Sequence, residues 1–236
     1  VTEIFGQYIQ TLMQQYKSNP RQNWKAKDVA VFLLTAVAVS TFRQATGANS
    51  VNPMVPLIPF FVDSVLPDMS PQANVHPILQ ADALKFVITF RSQIPVTEYQ
   101  RLIPAVAGML KAQAVVTHTY AAYALDNMLT IKDKDAQGAL VPRISKENLA
   151  PMLKDILSAL FAVATANNKP NSYVMRAVMR VIDKSKEKIG PVVPLVLENL
   201  STILRAVIQN PQVPLFNHYL FESLGALIGC AAAAGG

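Results

Sequence analysis

Apolar residues return every three to four positions along almost the whole chain, and that rhythm limits what it can fold into. In the first segment Ile4, Phe5, Tyr8, Ile9, Leu12, Met13 and Tyr16 form one stripe. That is the period of an amphipathic helix; a strand would alternate every second residue. The stripe ends near "SNP", Ser18 to Pro20. Similar runs follow at about Trp24 to Ser40, Val55 to Leu66, Ile78 to Phe90, Thr97 to Leu110, Ala114 to Ile131, Lys146 to Ala166, Tyr173 to Lys184, Val192 to Ile208 and His218 to Ile228. Strand-like alternation bounded by turn pairs is hard to find. The expectation is an all-α chain.

The helices also alternate in kind. One kind carries proline near its start and an apolar residue six further on, as in Pro59 with Val65, Pro104 with Leu110, Pro151 with Leu157 and Pro194 with Leu200. Proline suits a first helical turn, where its missing N–H would have no partner anyway. The other kind has a small residue at its middle, where a neighbouring backbone can come close: Ala30, Ala83, Ala121, Ala177 and Ser223. These recur roughly every 40 to 55 residues, near the spacing of a two-helix HEAT repeat. Each pair alone would leave an apolar face in water, so the expected arrangement is an α-α superhelix, a solenoid of about five HEAT-like pairs running continuously over residues 1–236. Two polar, glycine-bearing insertions, Gln44 to Asn52 and Asp133 to Arg143, read as loops. Thr97 with Gln100 reads as a capping box, and Ser145 and Asn217 read as N-caps. Residues 230–236, "CAAAAGG", read as a low-complexity tail.

Composition narrows the class further. Hydrophobic residues make up 51% and charged ones 15%, against the roughly 25% charged of ordinary soluble domains. Many helices must therefore be covered on more than one side. No run reaches the roughly 20 apolar residues of a membrane span; the longest, Val29 to Phe42, contains Thr35, Ser40 and Thr41 between Asp28 and Arg43. No membrane span is expected. The chain starts at Val1 without a basic-then-apolar leader and reads as a piece of something longer. A single cysteine, Cys230, rules out an internal disulfide and fits a reducing compartment. The net charge of +6 favours acidic partners without singling out nucleic acid.

Few polar groups are arranged for chemistry. His218 and Glu222 share a helical face, but no nucleophile, oxyanion donor or lid accompanies them, so a hydrogen bond in the core or between helices is the favoured reading. His118 lies among alanines deep in a helix, and His76 in a loop before Pro77. Three scattered histidines without an HExxH motif argue against a metal site, and none of the nine glycines stands in a phosphate-loop spacing. The chain reads as a non-enzyme without metal or cofactor. Basic residues are the better lead. Arg176, Arg180 and Lys184 recur every fourth position and give one positive stripe, either a solvated face or a contact for an acidic partner. Arg21, Lys25 and Lys27 flank the only tryptophan, Trp24, which anchors a helix start or, if exposed, serves as an interface hot spot. No nucleic-acid module signature appears.

Five ordered stretches, "TEIFGQYIQ", "NPRQNWKAKDVAVFLLT", "VVTHTYAAYAL", "YVMRAVMR" and "PLFNHYLFE", run from Thr2 to Glu222. Together they resemble the cellular apoptosis susceptibility family, the exportins of the importin-β superfamily that return importin-α to the cytoplasm. The resemblance implies HEAT repeats whose second helices line a concave side, and binding of importin-α together with Ran-GTP. It also implies shuttling between nucleus and cytoplasm, with GTP carried by Ran and no cofactor of the receptor's own. "CAAAAGG" departs from the family's pattern. A passive HEAT scaffold, such as a phosphatase regulatory subunit, would explain the helix pairs but not the five stretches.

Overall fold

The structure, a computed structural model, describes residues 2–70, 73–166, 170–211 and 213–235. It divides into two compact units, Val1–Ala124 and Leu125–Gly236.

The first unit opens with α1 (Thr2–Ser18), packed against α2 (Trp24–Ala38). Ile9 and Leu12 of the predicted stripe are buried, as are Ala30, Val31 and Leu34 of α2. The helix expected to reach Ser40 stops at Ala38. The chain continues as a hairpin of β1 (Val39–Arg43) and β2 (Gly47–Val51), paired antiparallel. This insertion is thus folded, not a loop. β-Branched and aromatic residues at Val39, Thr41 and Phe42 before a glycine turn were the sequence signal for it. Gly47 closes the turn at φ +83°, and a Cβ there would strike the Thr89 carbonyl oxygen and the Arg91 guanidinium; only glycine fits both the conformation and the space. Arg91, almost fully buried, donates to the carbonyls of Ile88 and Gln44, while Ser92 donates to the Ala48 carbonyl at 2.8 Å. The hairpin is therefore bolted to the end of α4 (Pro77–Phe90).

Between hairpin and α4 the expected single helix takes three geometries: α3 (Leu57–Phe60), a π-helical turn over Phe61–Val65 and a 3₁₀ turn over Leu66–Met69. Pro59 and Pro67 each remove a backbone donor, so the i→i−4 ladder cannot run through. α5 (Val96–Met109) keeps Pro104 in its interior, deeper than the first turn where it was expected. It starts after Pro95 with no side-chain cap, so the Thr97–Gln100 box does not form. α6 (Val115–Met128) crosses from the first unit into the second.

The second unit begins with another hairpin, β3 (Lys132–Lys134) against β4 (Leu140–Pro142), within the second insertion read as a loop. Arg143 braces it: its guanidinium takes the Asp133 carboxylate in a fork at 2.5 and 2.8 Å. Ser145 caps α7 (Lys146–Leu149) through Asn148 N–H, as expected. A 3₁₀ turn at Ala150–Met152 leads into α8 (Leu153–Thr165). α9 (Ser172–Ser185) is capped by the Asn171 side chain. It ends where Lys186 adopts φ 50°, and a 3₁₀ stretch, Lys186–Val192, leads to α10 (Val193–Gln209). α11 runs Pro214–Gly235. Asn217 therefore lies inside its first turn and is no cap, and the backbone of the predicted tail is helical as far as Gly235.

All five small residues read from the sequence as helix middles, Ala30, Ala83, Ala121, Ala177 and Ser223, are at most 2% exposed. Joining segments across turns also changes the membrane reckoning: Lys146–Thr165 and Ser172–Gln209 are long and apolar enough to span a bilayer. The second run is broken by the Lys186 turn, and α8 sinks Leu153, Ile156, Leu157 and Leu160 into protein.

Candidate interaction surface

The basic stripe on α9 is engaged inside the second unit. Val174, Ala177, Val178 and Val181 bury one side of the helix, which leaves Arg176 and Arg180 at its border. Both guanidiniums turn to Asp126 on α6, whose side chain is 1% exposed: Arg176 Nε lies 2.9 Å from Oδ2 and Arg180 Nε 2.9 Å from Oδ1. Arg176 also lies over the Tyr219 ring of α11, 5.8 Å from its centroid. Two cations on one buried carboxylate repay its desolvation and tie α6, α9 and α11 together. Lys184 pairs with the neighbouring Asp183 at 3.2 Å, and Lys186 takes the other oxygen at 2.9 Å. Within Asp183, burial pushes its carboxyl up, but the hydrogen bonds and charges of Lys186 and Lys184 together bring it below the ordinary range.

At the start of α2 the four candidates part ways. Arg21 and Lys25 are exposed. Trp24 is half-buried, its ring stacked flat on His76 with centroids 3.9 Å apart, and Lys25 Nζ sits 5.8 Å from the Trp24 centroid. His76, placed by sequence in a loop, is the N-cap of α4: Nδ1 accepts from Ile78 N–H at 3.3 Å. Lys27 is instead 4% exposed. Its ammonium lies 2.7 Å from Oδ2 and 2.8 Å from Oδ1 of Asp68, and 4.8 Å from the Tyr16 ring centroid. Burial raises the Asp68 carboxyl pKa, and Lys27 works against that shift. The Tyr16 phenol is raised as well, first by burial and then by the Asp68 charge.

His218 and Glu222 both lie exposed on α11, which removes the core alternative of the hydrogen bond, in the core or between helices, that the sequence suggested. His118 is satisfied by the Ala112 carbonyl, 3.1 Å from Nδ1. No group of three or more His, Cys, Asp or Glu side chains among the described residues could hold a metal. The acidic partners Asp68 and Asp126 were not picked out from sequence, because they lie 41 and 54 residues from the cations they hold. The available signal was a lone carboxylate within an apolar helix, in "YALDNM", where Tyr123, Ala124, Leu125 and Met128 surround Asp126.

Family profiles follow the same division as the fold. The Cse1 profile matches residues 1–125, and the profile described as the C-terminus of the CAS/CSE protein matches residues 126–235. The chain belongs to the Cse1 family of exportins. Exportin-2 of Oreochromis niloticus is 39% identical over 226 residues, 95% of this chain and 23% of its own length. Exportin-2 of Homo sapiens is 36% identical over the same span. The solved structure titled "The exportin Cse1 in its cargo-free, cytoplasmic state" superposes at TM-score 0.80 with 30% identity, over 98% of this chain and 23% of that one. The chain thus spans about a quarter of the length of these Cse1 relatives, and its fold class is the all-α HEAT-like superhelix that its sequence predicts.

Proposed function

We propose that the chain is a segment of a nuclear export receptor that binds importin-α together with Ran-GTP and carries it from nucleus to cytoplasm, shuttling between the two. The observation that supports this reading most is the match to Cse1 exportins across both units, in sequence and in fold. In this reading the nucleotide belongs to Ran, and the receptor is not an enzyme. Its physical contribution is a stack of helix pairs, each touching only its neighbours, whose small adjustments add along the array. One partner then favours the other by selecting a shared arrangement, and the coupling is reciprocal. Arg21, Trp24 and Lys25 are the proposed partner contacts of this segment, since Lys27, Arg176, Arg180 and Lys184 already have acidic partners within the chain.

The test is retention of importin-α by the complete receptor carrying this segment, with Ran loaded with GTP or with GDP. Retention that depends on the GTP form supports the proposal. Equal retention in both states favours a passive scaffold.

A further inference from the structure

α2 and α4, neighbours within the first unit, leave a groove of about 290 Å³ between them. One face of each helix lines it: Asp28, Phe32 and Thr35 from α2, and Asp82, Phe86 and Thr89 from α4. Those spacings of three, four and seven keep each row on a single helical side. The groove is largely apolar, and its rim exposes apolar surface that a folded chain ordinarily covers. Phe32 is 63% exposed and Val29 is 40% exposed.

Each lining row begins with a carboxylate, and the two meet. The carboxyl of Asp82 is within hydrogen-bonding reach of that of Asp28. Its Oδ2 is buried and receives no hydrogen bond from an N–H or hydroxyl group among the described residues. Burial first, and the adjoining Asp28 second, hold the Asp82 carboxyl up at about 7, so Asp82 keeps a proton close to neutrality. The other charges nearby leave it raised: the Lys85 ammonium works against the shift without cancelling it, and Asp68 adds to it. Lys85, one turn along α4, is exposed, and the Asp68 carboxylate is a third negative charge whose counterion, Lys27, is already committed.

We propose that this groove docks a protein segment that inserts a lysine or arginine side chain between Asp28 and Asp82 and lays an apolar residue against Phe32. A cation there supplies the donor that Asp82 Oδ2 lacks and replaces the Asp82 proton with a charge-assisted hydrogen bond. The apolar neighbour removes the Phe32 ring from water, which fixes the direction in which the segment lies. The inference concerns side-chain chemistry alone and does not rest on Ran or importin-α.

The probe is a fluorescein-labelled, alanine- and glutamine-based helical peptide carrying one lysine with a leucine a turn to either side, titrated against the full chain by fluorescence anisotropy. We expect saturable binding that weakens about tenfold or more when norleucine replaces the lysine, and as much in the Asp28→Asn/Asp82→Asn double variant. Phe32→Ser weakens binding of the unaltered peptide. Affinity should rise between about pH 6 and about pH 8, because binding displaces the proton. Equal binding of the norleucine peptide overturns the proposal without recourse to any protein variant, leaving an apolar groove only. Displacement of the peptide by millimolar calcium, absent in the double variant, would reassign the carboxylates to a metal. Loss of concentration-dependent self-association on Phe32→Ser would assign the groove to a second copy of the chain.

Discussion

Replacing Lys27 by methionine tests how the first unit is held together. The substitution keeps most of the side-chain volume and removes only the ammonium. It strands Asp68, whose side chain is 6% exposed, without the counterion that lies 2.7 Å away. Breaking one partner of such a buried pair costs about 3 to 5 kcal/mol, since the remaining charge is neither hydrated nor neutralised. Against a typical stability of roughly 5 to 15 kcal/mol, that is a large fraction. The double variant Lys27→Met/Asp68→Leu, which removes both charges, should recover most of the loss, because well-packed apolar replacements of a buried pair are often neutral. Trp24, the chain's one tryptophan, lies three residues from Lys27 and stacks on His76, so its fluorescence during urea unfolding reads this unit locally. The pH dependence has a definite sign. Burial already raises the Asp68 pKa with Lys27 present; without Lys27 it rises further, so the carboxyl becomes neutral at a higher pH. The deficit of Lys27→Met should therefore shrink as pH falls from neutrality toward about 5. A loss under about 1 kcal/mol, or a double variant as unstable as the single one, would refute the assignment of the pair as a buried brace.

Three further outcomes follow from particular contacts. Gly47→Ala forces a Cβ into left-handed backbone against the Thr89 carbonyl and should cost about 2 kcal/mol or more, with hydrogen exchange accelerating across residues 39–51 before the helices are affected. Asp82, held up at about 7, takes up a proton on folding; it favours the folded state fully below the unfolded carboxyl range, and that contribution is lost as pH rises through about 7. Asp82→Asn should flatten the resulting decline in urea midpoint between pH 5 and 8, and an unchanged slope would contradict the raised Asp82 pKa. Asp126→Ala leaves Arg176 and Arg180 facing a vacated site and should cost about 3 kcal/mol, with Asp126→Asn losing less because its amide oxygen still accepts from one guanidinium; thermal denaturation compares the two.

Helix existence and pairing were legible because they rest on local period and on residues such as Ala30 and Ala177, whose small size is visible without knowing the neighbour. The hairpins escaped because strands of three to five residues inside polar insertions carry little periodic signal, and what stabilises them is remote: Arg91 and Ser92 for the first, Arg143 for the second. Proline was read by its usual preference for a first turn, yet Pro104 sits mid-helix, where burial of Leu102, Ile103 and Val106 outweighs the lost backbone bond. Charge was the least legible quantity. A four-residue spacing gave Arg176 and Arg180 one face correctly, but whether that face is free depends on Asp126, which no local rule connects to it. The groove carboxylates Asp28 and Asp82 were invisible for the same reason, being 54 positions apart in numbering and adjacent only after α2 and α4 pack.

The chain's one thiol has a practical corollary. Cys230 is 7% exposed, its Sγ lies 3.5 Å from the Ile182 carbonyl of α9, and burial pushes its pKa up. A thiol held protonated and under cover reacts slowly with alkylating reagents, so its modification rate becomes a clock for departures of α11 from α9. The same sluggishness gives a quiet background on which cysteines placed one at a time elsewhere can be labelled and read individually.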